Sequence, residues 1–167
     1  TLECLSAALL TDPSCETVKQ VLLEIADSAN CWERVVAILE NVASSIAVEE
    51  GEENLLATQY AIDLSVLWEN QLANPEKAIE YGRRALSLGS NNPEVLEFLQ
   101  ESFQRLESWD NVIDVLKAKR DLAVDDEAAV LELNMQIASI QENFLQKNDD
   151  AINTLLEILD VHPDNQE

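Results

Sequence analysis

Few residues in this chain have the type and spacing that chemistry needs. There is one histidine, His162, in the turn His162-Pro163-Asp164-Asn165. Acyl transfer needs a serine or cysteine nucleophile with a histidine base beside it. No serine or cysteine stands in that pattern with His162, which reads as an exposed turn residue. The three cysteines, Cys4, Cys15 and Cys31, are odd in number. They lack the paired spacing of a zinc site or a disulfide framework. Free thiols are expected, with Cys4 and Cys31 buried in or beside helical apolar patterns. Reduced thiols fit a cytoplasm. No glycine-rich phosphate loop is present. The run Glu49-Glu50-Gly51-Glu52-Glu53 lacks the alternating oxygen ligands and terminal glutamate of a calcium loop, and reads as a solvated acidic loop. The expectation is therefore no catalytic residue, no cofactor and no metal.

Carboxylates are what the chain has in abundance. Thirty-three acids face ten bases, for a net charge of −23. Nucleic-acid binding requires Lys and Arg to displace counterions from phosphate, so nucleic acid is not an expected ligand. An anionic membrane surface is excluded on the same ground. A basic or polar protein segment is the complementary partner. Solubility, or adaptation to a salty environment, is the competing explanation of the charge.

The elements that must position these carboxylates are helical. The chain has 167 residues, 47% hydrophobic and 26% charged, with only three glycines and four prolines. That composition is globular and too poor in turn residues for an all-β fold. No apolar run is long enough to span a membrane, so no insertion is expected. The chain opens on Thr1-Leu2-Glu3-Cys4-Leu5, which reads as helix interior and suggests a segment of a longer array.

Sliding the sequence against itself exposes a repeat. Cys31-Trp32-Glu33-Arg34-Val35-Val36 matches Ser108-Trp109-Asp110-Asn111-Val112-Ile113 at an offset of 77. Asn74-Pro75-Glu76-Lys77-Ala78-Ile79 matches Lys147-Asn148-Asp149-Asp150-Ala151-Ile152 at 73. The four-residue change falls in the loop 48–53, where a repeat array tolerates insertions. Four helical hairpins follow, over 15–48, 53–88, 93–123 and 126–161, with 1–11 as the tail of a preceding helix. Their first helices are 15–29, 53–73, 93–107 and 126–146. Their second helices are 32–48, 75–88, 109–123 and 149–161. Apolar stripes at helical spacing support this, among them Val35, Val36, Leu39, Val42, Ala43 and Ile46, and also Leu133, Ile137, Ile140 and Phe144. Asn74-Pro75-Glu76 and Asn92-Pro93-Glu94 place a cap, a proline in the first turn and an acid at the positive helix end. Gly89-Ser90-Asn91 reads as a left-handed stop.

With those hairpins in place the chain resembles the tetratricopeptide repeat family. Ala151, Leu155, Ile158 and Pro163 stand at the spacing of that motif's second helix. Ala78, Gly82, Ala85 and Ser90 do so without the proline, and Ala8 and Pro13 match its last part. Departures are Leu64-Ser65 and Ile137-Ala138 where the family has Leu-Gly, and Val35 and Val112 where it has alanine. The alternation of recognisable with divergent hairpins is similar to long bacterial arrays. The resemblance implies an all-α, right-handed superhelix over 1–167, a single solenoid of about four hairpins. It also implies a non-catalytic interaction scaffold that binds along the concave face lined by the first helices. The family's clamp for acidic chaperone tails is not expected, because Gln20, Glu24, Glu97 and Glu101 stand at the matching positions, where the three glutamates would repel a carboxylate.

The expected groove is acidic. Its candidate residues are Glu24, Asp27, Asp63, Glu69, Glu94, Glu97, Glu101, Glu132 and Glu142, with Phe98 the aromatic placed to reach it. Glu94, Glu97 and Glu101 share one helix face. The other aromatics, including Trp32, Trp68, Phe103 and Trp109, are expected to pack between helices. The bases collect on second helices, at Arg34, Lys77, Arg83, Arg84, Lys117, Lys119 and Arg120. Two alternatives to the scaffold remain at this point. One is a structural spacer or self-assembly segment of a longer array, and the other is a docking or regulatory segment of a larger enzyme.

Overall fold

The computed structural model describes residues 2–46, 54–89 and 91–161, with side chains as far as Leu156. Among these residues there are nine helices and no strand, so the fold is all-α. They are α1 (Leu2–Thr11), α2 (Glu16–Ala29), α3 (Trp32–Ser45), α4 (Leu55–Asn70), α5 (Pro75–Gly89), α6 (Pro93–Arg105), α7 (Trp109–Leu122), α8 (Glu127–Asn143) and α9 (Asn148–Val161). The helices fall into two compact units, Thr1–Gly89 and Ser90–Glu167. The acidic loop 48–53, Ser90 and the His162 turn lie outside the described residues.

The helices start where short polar side chains can satisfy the first free N–H groups. Asn54 Oδ1 accepts from Ala57 N–H at 2.9 Å, and Asp126 Oδ1 from Ala129 N–H at 3.1 Å. Asn74 Oδ1 accepts from Lys77 N–H, and Asn92 Oδ1 from the N–H groups of Glu94 and Val95. Both Asn-Pro-Glu signals therefore cap as the sequence predicts.

All four hairpin turns use the same device. Asn30, Ala73, Glu107 and Gln146 sit at φ of 48°, 48°, 52° and 55°. Each reverses the chain between a first and a second helix. In the α2–α3 and α6–α7 turns the closing N–H reaches five residues back, from Cys31 to Ala26 O (3.0 Å) and from Ser108 to Phe103 O (2.9 Å). In the α4–α5 and α8–α9 turns it reaches six back, from Asn74 to Trp68 O and from Lys147 to Gln141 O, both at 2.8 Å. The first pair is related by the offset of 77 and the second by 73. The internal repeat is thus a repeat of backbone geometry. None of the four left-handed residues is glycine, although a Cβ disfavours that region by about 1–2 kcal/mol. Ala73→Gly is expected to stabilise the Thr1–Gly89 unit by about 0.5–1 kcal/mol, after the extra freedom glycine gives the unfolded chain. A rise in the urea midpoint at unchanged slope checks this.

In the first unit α1 packs on α2 and α3, α2 on α3, and α3 on α4. The core holds Leu9, Leu22, Val35, Val36, Leu39, Val42, Tyr60 and Leu64, all buried. The α4–α5 contact is of another kind. Ala78, Gly82, Ala85 and Gly89 form a stripe of small buried residues down α5. Ala57, Ala61 and Ser65 form its counterpart on α4. With so little side chain between them the backbones approach closely, and Ser65 Oγ donates to Ala78 O at 2.8 Å. In the second unit α6 packs on α7, α7 on α8 and α8 on α9. Its core is built from Leu96, Leu99, Phe103, Val112, Val115, Leu116 and Ile137.

Three expectations need correction. Phe144 does not continue the α8 stripe, and is 53% exposed. It is the C-cap residue of α8, at the open end of the helix, and its ring stacks on Trp109 with centroids 3.8 Å apart. Ile46 lies past the end of α3 in extended backbone and is only half-buried. No cysteine is buried: Cys4 is exposed, and Cys15 and Cys31 are half-buried as N-cap residues.

Candidate functional site

The first helices of each unit border an open groove. In the Thr1–Gly89 unit it runs between α2 and α4, a cavity of about 510 Å³ lined by Glu16, Lys19, Leu23, Gln59, Asp63 and Val66. In the Ser90–Glu167 unit the cavity is about 450 Å³, lined by Gln104, Trp109, Met135, Ser139, Ile140 and Phe144. The two share repeat positions, since Val66 and Leu67 of the first correspond to Ser139 and Ile140 of the second. The chemistry of the lining differs.

In the first unit a cation is built into the groove. Lys19 is 6% exposed, and its ammonium contacts the Asp63 carboxylate and lies 3.4 Å from Glu16 Oε2. The same ammonium stands 5.3 Å from the centre of the Tyr60 ring, which adds a cation–π contact. Gln59 Nε2 donates to the other Asp63 oxygen at 3.0 Å. Asp63 is therefore a partner of Lys19, and the groove here is a neutralised pair flanked by acids. Glu24 and Asp27 are exposed on α2, and Glu69 is half-buried on α4.

Tyr60 closes this corner. Its hydroxyl donates to Pro13 O at 2.9 Å and ties α4 to the α1–α2 turn. Burial, and then the Asp63, Glu16 and Asp12 carboxylates, push the phenol up to about 12. Tyr81 is also raised, by burial and by its hydrogen bond to Glu40. A phenol whose pKa is higher in the folded state contributes stability that is complete below the unfolded value near 10 and is lost as pH rises through the folded value. Both tyrosines lie in the first unit. Alkaline unfolding between pH 10 and 12 is expected to begin there, with Tyr60→Phe flattening the slope. Absorbance titration of tyrosinate beside circular dichroism checks the order.

In the second unit the acids are more exposed. Glu94, Glu97 and Glu101 form one open stripe on α6, with Phe98 half-buried beside Glu94 and Glu101. Glu97 is not available as a bare charge, because Lys119 on α7 bonds to it and to Gln100 Oε1. Glu132 and Glu142 are exposed on α8, and Glu132 accepts from Gln136 Nε2 at 3.3 Å. The ten candidates thus divide into Glu24, Asp27, Asp63 and Glu69 in one unit and the remaining six in the other. Charge is spread over both, at 15 acids to 5 bases in residues 1–89 and 18 to 5 in 90–167.

Sequence reasoning missed a polar network at the second helices. Glu40 Oε1 accepts from Trp68 Nε1 at 3.1 Å and from the Tyr81 hydroxyl at 2.8 Å. Residues at the repeat positions of Trp68 and Tyr81, namely Gln141 and Thr154, bond to each other at 3.0 Å. Trp68 and Tyr81 are joined through Glu40, whereas Gln141 and Thr154 bond directly, so the repeat keeps the two positions linked but not the bond itself. Among the described residues no group of His, Cys, Asp and Glu is arranged to hold a metal, and no helix is long and apolar enough to cross a membrane. The sequence matches no known protein-family model and none of the curated proteins.

Proposed function

We propose that the chain is a non-catalytic protein-interaction scaffold, a tetratricopeptide-like right-handed array whose first helices hold a basic or polar protein segment. The observation that supports this reading is the repeated hairpin closure, which turns each first helix into its second through a left-handed residue, combined with exposed carboxylates on the first helices. Acids in an open groove attract a cationic chain and repel nucleic acid and anionic lipid. Lys19 engages Asp63 and Glu16, which leaves Glu24 and Asp27 as the exposed candidate acids of the first unit's first helices, so the second unit is the stronger cation-binding half.

The test reverses Glu94 and Glu101 to lysine and leaves Glu97, whose reversal would set two ammonium groups together at Lys119. A fluorescent lysine-rich peptide is expected to bind the wild type in low salt and to bind E94K/E101K about tenfold more weakly, with helicity unchanged. Equal affinity for both proteins would sink the groove reading.

A second reading, a self-assembling or spacer segment, is supported by the apolar residues on α9. Ile152, Leu155 and Leu156 are 53%, 44% and 52% exposed on consecutive turns. Sedimentation at rising protein concentration distinguishes it, because a strict monomer at every concentration speaks against self-assembly.

A further inference from the structure

Exposed apolar side chains occur at several places, and most are isolated. Leu55 and Val124 stand singly at helix ends and call for no explanation. The second-unit groove is different. Met135 is 57% exposed and Phe144 53%, and both line one concavity with Trp109 and Ile140. The Trp109–Phe144 stack makes one wall, so this wall is a fixed aromatic surface and not a loose side chain. Gln104 and Ser139 supply hydrogen-bonding edges. The rim is acidic. Glu101 lies one turn from Gln104 on α6, and Glu132 and Glu142 lie one and two turns from Met135 on the same face of α8.

Aromatic and methionine side chains at the centre and charges at the edge are the arrangement of an interface with an anchor pocket. The charges also choose the occupant. A second copy of this chain carries −23 itself and would bring carboxylates against carboxylates. A cationic segment is attracted to the same rim. We infer that the pocket formed by Trp109, Met135, Ile140 and Phe144 takes one large apolar side chain, aromatic by preference, from a protein segment whose flanking residues are lysine or arginine. This rests on the acidic-groove reading and adds to it the kind of residue that is read and the place where it is read.

Met135 is the sole methionine of the chain, so isotopic labelling of the methionine methyl gives a single reporter inside the pocket. Two synthetic probes are compared on the full chain, a lysine-rich peptide with one central tryptophan and the same peptide with alanine there. The tryptophan peptide is expected to bind about tenfold more tightly, the range set by burying one aromatic side chain. It should also move the Met135 methyl resonance by ring current, which the alanine peptide should not do. Met135→Asn, a change at an exposed position, should erase the tryptophan advantage and keep the helical content.

If both peptides bind equally and the methyl resonance stays fixed, the pocket is overturned while the acidic groove stands. If neither binds in low salt, the groove reading fails and the pocket with it. A methyl resonance that moves with protein concentration alone would assign the surface to a second copy and overturn the proposal. A tryptophan advantage that survives in Met135→Asn would also overturn it.

Discussion

Gly82→Leu is expected to destabilise the Thr1–Gly89 unit by about 3 kcal/mol, at the upper end of what overpacking a core costs. Glycine inside a helix is itself unfavourable by about 0.8–1 kcal/mol relative to alanine. Its presence in the middle of α5 therefore needs a reason. That reason is the stripe Ala78, Gly82, Ala85 and Gly89, all buried against the small residues of α4. The Ser65 hydroxyl reaches the Ala78 carbonyl across this interface, a bond that only close backbones allow. A leucine at position 82 would wedge α5 off α4 and break that bond. The other unit provides the contrast, since the repeat position of Gly82 is Leu155, which is 44% exposed. Leu155→Gly should cost about 1 kcal/mol, mostly through helix propensity. Urea unfolding followed by tryptophan fluorescence separates the two cases. Trp32 and Trp68 report on the first unit and Trp109 on the second. A Gly82→Leu protein within about 0.5 kcal/mol of wild type, the range of an ordinary surface change, would show that the α4–α5 approach is not held by its small residues.

Lys19→Met should cost the same unit about 2 kcal/mol. Removing one partner of a fully buried ion pair costs about 3–5 kcal/mol because the other charge is stranded. Here the Lys19 side chain is 8% exposed but that of Asp63 is 25% exposed, so water screens part of the loss. The double change Lys19→Met with Asp63→Leu removes the stranded charge and should return stability to within about 1 kcal/mol of wild type. A double-mutant cycle measures the coupling directly. A single mutant as stable as wild type, with a coupling near zero, would mean that the pair is an ordinary surface contact.

The helices were legible because their ends are marked locally. Asn74, Asn92 and Asp126 cap where an Asx residue, followed in two cases by proline, precedes an apolar-periodic run. The hairpins were legible because two offsets bring caps, stripes and turns into register together. Contacts between helices left no such trace. Lys19 and Asp63 are 44 positions apart, and nothing in the periodicity of α2 says which residue of α4 it meets. Lys119 reads as a base on a second helix, yet its long side chain reaches back to Glu97 on the first. Phe144 has the spacing of a core residue, but it caps the C-terminal end of α8, where its ring meets Trp109. The grooves share this divide. Of the acids named from composition and spacing, Asp63 lines a cavity, whereas the apolar pocket of the second unit depends on a side chain at the very end of its helix.

The alternation of five- and six-residue closures also says how such a chain could change length. In each unit a hairpin closed over five residues is followed by one closed over six, so removing a single hairpin would set two like turns in succession along the chain. Removing or adding two together restores the alternation. The repeating module is therefore the pair of hairpins, and each compact unit holds one such pair.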